Sequence, residues 1–338
     1  MQKNKKTIFT FLIFSLFSLI FIFPRPSLAS SLPFELRGQF LIQVENKGQA
    51  WYVDKHNGLR HILSQNSFLE VARQNSLGIS NNDLKKIPLA VDSRLIKIDS
   101  DNDGLDDRLE KAIGINYSNL DSDGDSHSDS LEIKNHYDPL GPGRLPIDLN
   151  FTKKLAGKFL LQVEGKGELW YLSPKDNLLY YVGDYEDLLK IISILGLGIN
   201  NENISFIADA SLISKNSLKN VKVDVGPSQR VYYYLGETQI GSFPVSAGKA
   251  SMPTPKGNFK IINKYPKAWS SYGLWMPYWL GMGTGRFGFH ELPIWPSGYR
   301  EGENHLGIAV SHGCIRLGIG PAEFLYNWVE VGTPVVIY

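Results

Sequence analysis

The stretch Ser311-His312-Gly313-Cys314-Ile315-Arg316-Leu317 decides how the rest of the chain is interpreted, because it holds the only cysteine among 338 residues. A lone cysteine cannot form an intramolecular disulfide, so Cys314 is a buried spectator, a partner for another molecule or a nucleophile. Gly313 lacks a Cβ, and the N–H groups of Gly313 and Cys314 could stabilise a developing oxyanion. These neighbours favour the nucleophile.

Three histidines are candidate bases for this thiol: His290, His305 and His312. An imidazole close to a thiol can take its proton and generate the reactive thiolate. If the segment is extended, His312 shares a face with Cys314 and becomes an alternative base. Ser311 is interpreted as a hydroxyl that orients the loop.

Arg316 follows the cysteine by two residues and has two possible roles. Its guanidinium could bind a substrate carboxylate through two parallel hydrogen bonds, or it could orient the loop around the sulfur. The residue types alone do not separate these roles.

A wider set of motifs resembles the L,D-transpeptidase (YkuD-type) family over roughly residues 220–338. The segments that match, besides the cysteine stretch, are Pro244-Val245-Ser246-Ala247-Gly248-Lys249, Pro253-Thr254-Pro255-Lys256-Gly257, Gly288-Phe289-His290 and Gly332-Thr333-Pro334-Val335-Val336-Ile337. The Ser-His-Gly-Cys core together with Thr-Pro-x-Gly is highly specific for that family.

The resemblance implies a mostly β catalytic domain, a β-sandwich, that acts on peptidoglycan stem peptides without a catalytic cofactor. In that family a cysteine attacks the amide between an L- and a D-centre, and the acyl group then passes to an amine of a neighbouring stem. Cys314 is thereby implied to be the nucleophile and His290 the general base. One departure is that twenty residues separate His290 from Ser311, and residues 295–300 are interpreted as a loop insertion.

Two other functions remain open at this point. The same scaffold could be an L,D-carboxypeptidase that uses water as the acceptor, because water exclusion cannot be read from spacing. The chain could also be a non-enzymatic, calcium-dependent wall-binding surface protein, although the complete set of site residues disfavours this.

The charge balance and the N-terminus limit the class of protein, and the N-terminus indicates export. The 35 basic and 34 acidic residues nearly cancel, which argues against a nucleic-acid partner. Lys3, Lys5 and Lys6 precede an apolar run over residues 8–23, and Ser27-Leu28-Ala29 offers a cleavage site. Residues 1–29 are therefore predicted to be a signal peptide, and the protein to be secreted and extracytoplasmic. The alternative is an uncleaved anchor, the one case in which a membrane is a partner.

The chain contains an internal repeat. Residues 38–53 and 157–172 are identical at ten of sixteen aligned positions. Each copy predicts a β-hairpin with a Lys-Gly turn and then an apolar helix, which begins at Ser67 (a capping box with Glu70) or at Asp184 and stops at glycine. Both copies are interpreted as small α+β modules for attachment or spacing. Their Trp-Tyr pairs could stack on glycans but more often belong to a core.

An acidic insert between the copies matches the twelve-residue calcium loop twice. Oxygen ligands are expected at loop positions 1, 3, 5, 9 and 12, with glycine at position 6. The second loop has Ser126 where that glycine is expected. The insert resembles the bacterial thrombospondin type 3-like repeat, and the alternative is a solvated acidic linker. The candidate calcium ligands are Asp99, Asp101, Asp103, Asp107 and Glu110 in the first loop and Asp121, Asp123, Asp125, Asp129 and Glu132 in the second.

The C-terminal third alternates apolar and polar residues from Val221 onward, which predicts strands, and one helix is expected to begin at Pro321. The aromatic segment 269–279 is expected to form a wall of the cleft. The predicted chain is thus a signal peptide (1–29), repeat module 1 (37–97), a calcium-binding segment (98–143), repeat module 2 (156–216) and a catalytic domain (219–338).

Overall fold

The computed structural model describes residues 32–214 and 216–338, so the predicted signal peptide lies outside the described residues. Within those two ranges, no helix has the length and apolar character that crossing a bilayer requires. The first repeat copy comprises α1 (Leu32–Glu35), β1 (Phe40–Gln43), β2 (Gln49–Val53), β3 (Arg60–Ile62), α2 (Phe68–Asn75), β4 (Ser76–Ile79) and α3 (Asn81–Leu84).

The acidic insert and the second repeat copy follow in order. A 3₁₀ turn (Ser93–Leu95) precedes the insert, which contains α4 (Asp107–Ile113) and α5 (Asp129–Lys134). The second copy comprises α6 (Leu149–Leu155), β5 (Phe159–Gln162), β6 (Leu169–Leu172), β7 (Leu179–Tyr181), α7 (Tyr185–Leu195), β8 (Leu197–Ile199), α8 (Asn201–Ser205) and a 3₁₀ turn (Ala210–Leu212).

The two repeat copies exchange their last strands. One sheet has the order β3-β2-β1-β8 and the other β4-β5-β6-β7, so the strand after each helix joins the hairpin of the other copy. Both exchanged strands pair in parallel, with Leu41 opposite Leu197 and Phe159 opposite Ser76. Aromatic residues of both hairpins also share one core. The copies therefore form a single interlocked body, which we call the repeat unit.

One glycine from each copy, Gly38 and Gly157, lies at the contact between the two copies. A Cβ on Gly38 would lie 2.4 Å from the Gly157 Cα, and one on Gly157 would lie 2.8 Å from the Gly38 Cα. The hydroxyl of Tyr52 donates to the Gly157 carbonyl (2.8 Å), and the hydroxyl of Tyr171 donates to the Gly38 carbonyl (2.6 Å). The repeated Gly and Tyr residues thus build the contact between the copies.

Several local expectations for the repeats need correction. Ser67 makes no side-chain capping bond, whereas Asp184 and Asp187 form the capping box. The helices end before Gly78 and Gly198, and both glycines lie inside the exchanged strands.

The Trp-Tyr pairs belong mainly to the core rather than to a glycan surface. Tyr52, Trp170 and Tyr171 are buried, while Trp51 is half-buried beneath the guanidinium of Arg60. The core interpretation is therefore the one that the structure supports.

The C-terminal third is mostly β, as predicted. It contains β9 (Lys219–Asp224), β10 (Arg230–Leu235), β11 (Thr238–Ser246), β12 (Gly257–Trp269), β13 (Trp275–Met282), β14 (Phe287–Glu291), a 3₁₀ turn (Glu303–His305), β15 (Ile315–Leu317), α9 (Pro321–Trp328) and β16 (Pro334–Ile337). The helix begins at the predicted proline.

These strands form a closed barrel, so the expected β-sandwich was wrong. Their order is β10-β11-β15-β14-β13-β12-β16-β9, and β9 pairs with β10 to close the ring. The long strand β12 pairs with β16 through its first residues and with β13 through the rest, which joins the two halves. Closure leaves these strands without free edges.

The repeat unit packs against the barrel. The ring of Phe34 makes edge-to-face contacts with Phe243 (5.4 Å) and Phe324 (5.9 Å). Leu59, from the turn before β3, is part of the barrel core, and the indole of Trp328 donates to the Asn57 side chain (3.0 Å). The catalytic barrel is thus partly covered by residues from the first repeat copy.

Candidate active site

The loop that carries Cys314 is held by two hydroxyl groups. Ser311 Oγ accepts from the Gly313 N–H (3.1 Å) and donates to the Cys314 carbonyl (2.5 Å). Thr254 Oγ1 donates to the Gly313 carbonyl (2.9 Å) and accepts from the Gly248 N–H (2.8 Å). The loop is therefore fixed from within and from the neighbouring segment, and Ser311 has the predicted orienting role.

Thr254 is a site residue to which the sequence reasoning gave no role. Its signal was the Thr-Pro-x-Gly motif, which was used only to identify a resemblance. The backbone at Gly248 also lies close to the segment that leads to Thr254. Only glycine fits there, because a Cβ on Gly248 would lie 2.2 Å from the Met252 carbonyl oxygen.

Of the two backbone N–H groups expected to stabilise an oxyanion, the structure leaves only one available. The Gly313 N–H is already donated to Ser311, so it is not available to a substrate oxygen. The Cys314 N–H is the remaining member of the pair that the sequence suggested.

His290 lies on β14, beside the strand that follows Cys314. In the parallel pairing of β14 with β15, His290 is opposite Arg316. Its Nδ1 lies 2.6 Å from the backbone carbonyl oxygen of Glu291. A carbonyl only accepts, so Nδ1 carries the hydrogen and Nε2 of the neutral ring is free to accept a proton. The Glu291 carbonyl thus orients the base, and no sequence pattern indicated it.

Both reactive groups are neutral at rest. Burial lowers the pKa of His290 to about 4, and the charge of Arg316 acts in the same direction. Burial raises the pKa of the Cys314 thiol, although a hydrogen bond from the Gly288 backbone and the charge of Arg316 oppose this. The pair is therefore a thiol and a neutral imidazole, and a nucleophilic role for Cys314 requires that its thiol lose a proton.

This electrostatic state predicts a pH profile. As pH falls, the imidazole is lost as a base only when it becomes protonated, near the lowered pKa of His290 at about 4. We expect the rate of Cys314 acylation by a carbapenem to stay level from neutral pH down to about 5 and to fall below that. The measurement is intact-mass labelling at a series of pH values. An acid limb centred near 6.5, the usual histidine value, would contradict the buried neutral base.

The other two histidines have different surroundings. His312 is exposed and stacks on Tyr272 with ring centroids 4.6 Å apart, and its Nε2 lies 3.3 Å from the ammonium of Lys249. Burial and then the charge of Lys249 lower the pKa of His312. His305 Nδ1 lies 3.2 Å from a Glu301 oxygen, and His305 does not line the cavity around Cys314. This geometry favours His290 as the base.

Arg300, the last residue of the insertion, and Glu301, which follows it, each form an ion pair close to His290. Arg316 Nη1 lies 2.5 Å from a Glu301 carboxylate oxygen. Arg300 pairs with the carboxylate of Glu291. Arg316 is only 5% exposed, so the structure favours its structural role over capture of a substrate carboxylate.

Cys314 and His290 open into a common cavity of about 380 Å³. One wall comes from the β12–β13 hairpin, as expected for the aromatic segment 269–279. The residues that line the cavity include Asn263, Tyr265, Trp269, Tyr272, Met276, Trp279, Arg286, His290, Ser311, His312, Cys314 and Arg316. This volume lies within the range of about 300–1,000 Å³ that is usual for ligand-binding clefts.

A second candidate site lies in the acidic insert. Oxygen atoms of Asp99, Asp101 and Asp103 converge within 4.8 Å of one another, and Asp121, Asp123 and Asp125 do the same. The residues at loop position 6 both have left-handed backbones, Gly104 with φ 97° and Ser126 with φ 77°. The serine therefore adopts the turn that the glycine normally makes, at some cost in strain.

Buried oxygens in these loops lack partners. Among the described residues, both carboxylate oxygens of Glu110 have no hydrogen-bond donor, nor do Asp99 Oδ1, Asp101 Oδ2 and Glu132 Oε2. Burial and neighbouring carboxylates raise the pKa of Glu110 to about 8 and that of Glu132 to about 7. Converging carboxylate oxygens without hydrogen-bond donors fit a hard cation with oxygen ligands.

Two of the predicted ligands have other partners. Asp107 accepts from the N–H (2.9 Å) and the hydroxyl (2.9 Å) of Ser100, and Asp129 accepts from the N–H (2.8 Å) and the hydroxyl (2.6 Å) of Ser122. These carboxylates fasten the loops instead of joining the convergent clusters. Asp107 and Asp129 are not among the aspartates whose oxygens converge, and their role as ligands stays a prediction.

Comparisons with known proteins agree with the C-terminal site. A family model described as the L,D-transpeptidase catalytic domain (YkuD) matches residues 219–337. A putative L,D-transpeptidase YkuD of Bacillus licheniformis is 30% identical over 104 residues, which are 31% of this chain and 56% of that protein. A putative L,D-transpeptidase YciB of Bacillus subtilis is 31% identical over 128 residues, 35% of this chain and 66% of that protein.

The match to these curated relatives is partial, since the chain spans 56% and 66% of their lengths. Among solved structures, an L,D-transpeptidase from Mycobacterium smegmatis aligns with a TM-score of 0.32 and 23% identity, over 36% of this chain and 59% of that one.

Proposed function

Because residues 219–337 carry an L,D-transpeptidase catalytic domain, we propose that the protein is an exported cysteine L,D-transpeptidase that cross-links peptidoglycan stem peptides. One observation carries the proposal. Cys314 and His290 line the same cavity, and the Glu291 carbonyl holds His290 in the tautomer that can accept the thiol proton.

The proposed reaction has two halves. Cys314 Sγ attacks the carbonyl carbon of the donor amide while His290 Nε2 takes the thiol proton, and the Cys314 N–H stabilises the oxyanion. The C–N bond then breaks, the leaving amine receives the proton from His290, and a thioester remains. An amine of a second stem attacks the thioester and gives a proton to His290. The C–S bond then breaks, a new amide is released, and His290 returns that proton to the Cys314 sulfur.

The acceptor distinguishes the transferase from the hydrolase. Incubation of the full chain with purified muropeptides, followed by mass measurement of the products, tests the proposal. Cross-linked dimers support transpeptidation. Loss of only a terminal D-residue identifies a carboxypeptidase instead, and unchanged muropeptides contradict both reactions.

We also propose that the acidic insert binds calcium as a structural ion. The convergent aspartates and the fully buried Glu110, whose oxygens have no donor among the described residues, support this. Asp99, Asp101, Asp103 and Glu110 would hold one ion and Asp121, Asp123, Asp125 and Glu132 a second. Bound cations would neutralise carboxylates that otherwise repel one another, which couples binding to the order of the insert.

Calcium is therefore expected to stabilise the protein. Extracellular calcium-binding modules have Kd values of about 10⁻⁴–10⁻³ M, and at ten times Kd one site contributes about 1.4 kcal/mol. We expect the melting temperature to rise by about 3–5 °C. Glu110→Gln should lose much of this rise, whereas Glu237→Gln, at an exposed position on the barrel, should keep it. Differential scanning calorimetry with calcium or chelator is the measurement, and a calcium-independent transition in the wild type would refute the proposal.

A further inference from the structure

A cavity of about 780 Å³ between the repeat unit and the catalytic barrel concentrates positive charge. Six of its lining residues carry basic side chains and one is acidic. The basic residues are Arg37, Lys55, His56, Lys153, Lys154 and Lys158, and the acidic residue is Glu323. The whole chain has a net charge of only +1, so this concentration does not follow from composition. We call this feature the basic cavity.

Within the described part of the chain, the lysines of the basic cavity have no acidic partners. Among the described residues, none of its four lysines takes part in an ion pair, and the ammonium of Lys55 donates to the Ala156 carbonyl. Burial and then the charge of Lys158 lower the pKa of Lys55. Like charges held close together cost free energy unless an anion offsets their repulsion.

Arg37 adds a buried charge at the inner wall. It is 8% exposed, its guanidinium lies 3.5 Å from the centroid of the Phe324 ring, and Nη2 donates to the Tyr233 hydroxyl (3.0 Å). Its Nε and Nη1 have no acceptor within the described part of the chain. Asp54 attracts Arg37 but already accepts from the Asn57 and Leu59 amides. The positive potential at the inner wall therefore remains largely uncompensated.

We propose that the basic cavity binds a phosphodiester-linked anionic polymer of the cell wall. Lysine ammonium groups act as point charges that suit phosphate oxygens, whereas paired recognition of carboxylates favours the arginine fork. Lys153 and Lys154 are exposed at the rim and Lys55 and Lys158 are less exposed, so several anionic groups of one chain can be neutralised together. The location of the polymer rests on the proposed export, but the binding does not depend on catalysis.

The aromatic residues of the cavity argue against single-stranded nucleic acid. Binding of single strands usually requires exposed rings on which bases stack. Trp328 is 1% exposed, and Phe34 and Phe324 are in edge-to-face contact with each other. The cavity therefore offers charge without a stacking platform, which suits a polyol phosphate.

The test measures binding of a fluorescent synthetic poly(glycerol phosphate) oligomer to the full chain by anisotropy over a range of salt concentrations. Lys153→Glu/Lys154→Glu is expected to weaken binding at least tenfold and to reduce the slope of log K against log salt by about 1.4, since each lost contact removes about 0.7. Lys47→Glu/Lys166→Glu changes the charge equally in two exposed hairpin turns and should alter binding less than twofold. Cys314→Ala should bind like the wild type, which separates this proposal from the proposed function.

Four results would overturn the proposal: no binding by the wild type, unchanged binding by Lys153→Glu/Lys154→Glu, equal losses in both double variants, or tighter binding of a thymidine oligonucleotide or polyglutamate of matched charge. Melting curves establish that each variant is folded. If the double variant does not fold, Lys154→Gln replaces it and should weaken binding at least threefold.

Discussion

Replacement of Cys314 by alanine is expected to abolish both turnover of muropeptides and covalent labelling by a carbapenem. No other cysteine exists in the chain, so no second thiol can replace it. Ser311, the nearest hydroxyl in sequence, is engaged with the Gly313 N–H and the Cys314 carbonyl and is fully buried. A residual label on the Cys314→Ala protein would show that the nucleophile has been misassigned.

His290→Ala is expected to slow acylation by about 10²–10⁴-fold, the usual effect of losing a general base. The thiol has a raised pKa and so cannot compensate by ionising alone at neutral pH. His312→Ala and His305→Ala serve as matched controls and should lower the rate less than about tenfold, because their rings pair with Lys249 and Glu301. If either control loses labelling while His290→Ala keeps it, His290 is not the base.

The reactive residues were accessible from the sequence because they lie in short, specific motifs. His290 was chosen among three histidines only through the resemblance to a known family, whereas Cys314 and Ser311 could be given roles from residue type and position. The Glu291 carbonyl and the hydroxyl of Thr254 could not, because a backbone acceptor has no sequence signal and Thr254 acts across 59 residues of chain. The first contact joins adjacent residues and depends on the orientation of the His290 ring, and the second forms only when the segment before β12 packs against the cysteine loop.

In the acidic loops, too, the sequence predicted only part of the geometry. The repeated Asp-x-Asp-x-Asp pattern predicted which oxygens converge, and the left-handed backbone at position 6 follows from the same loop geometry. The pattern could not show that Ser100 and Ser122 occupy the carboxylates of Asp107 and Asp129. Both serines donate hydrogen bonds to these carboxylates, and the spacing of the expected ligands gives no sign of such donors.

The exchange of strands in the repeat unit could not be predicted from the sequence. Two similar copies offer β4 and β8 two similar hairpins, so the local sequence pattern cannot decide which hairpin each strand joins. One consequence of the exchange is visible in the shared motif. Glu45 accepts from the Asn201 N–H (2.8 Å), and Glu164 accepts from the Asn81 N–H (2.7 Å), so each glutamate binds the start of the helix that follows the exchanged strand.

The contact between Gly38 and Gly157 provides the most direct test of this interlocked body. Gly38→Ala is expected to destabilise the protein by about 3 kcal/mol or more, because the new Cβ would lie 2.4 Å from a backbone carbon that cannot move freely. Gly48→Ala is the matched control: Gly48 has a similar φ of 72° and nothing within 4 Å of its Cβ position, so it should cost only the left-handed strain of about 1–2 kcal/mol.

Gly157→Ala should have a cost close to that of Gly38→Ala, although the two positions lie in different copies, because each Cβ meets the backbone of the other glycine. The double variant should be less destabilised than the sum of the single variants, since both substitutions disrupt one contact. Chemical denaturation followed by tryptophan fluorescence measures all four variants, and Trp170 in the second copy reports on the same body. Equal costs for Gly38→Ala and Gly48→Ala, with additive effects at Gly38 and Gly157, would mean that the two copies fold as separate modules. A large and shared cost would instead mean that the contact between the two glycines holds the copies together.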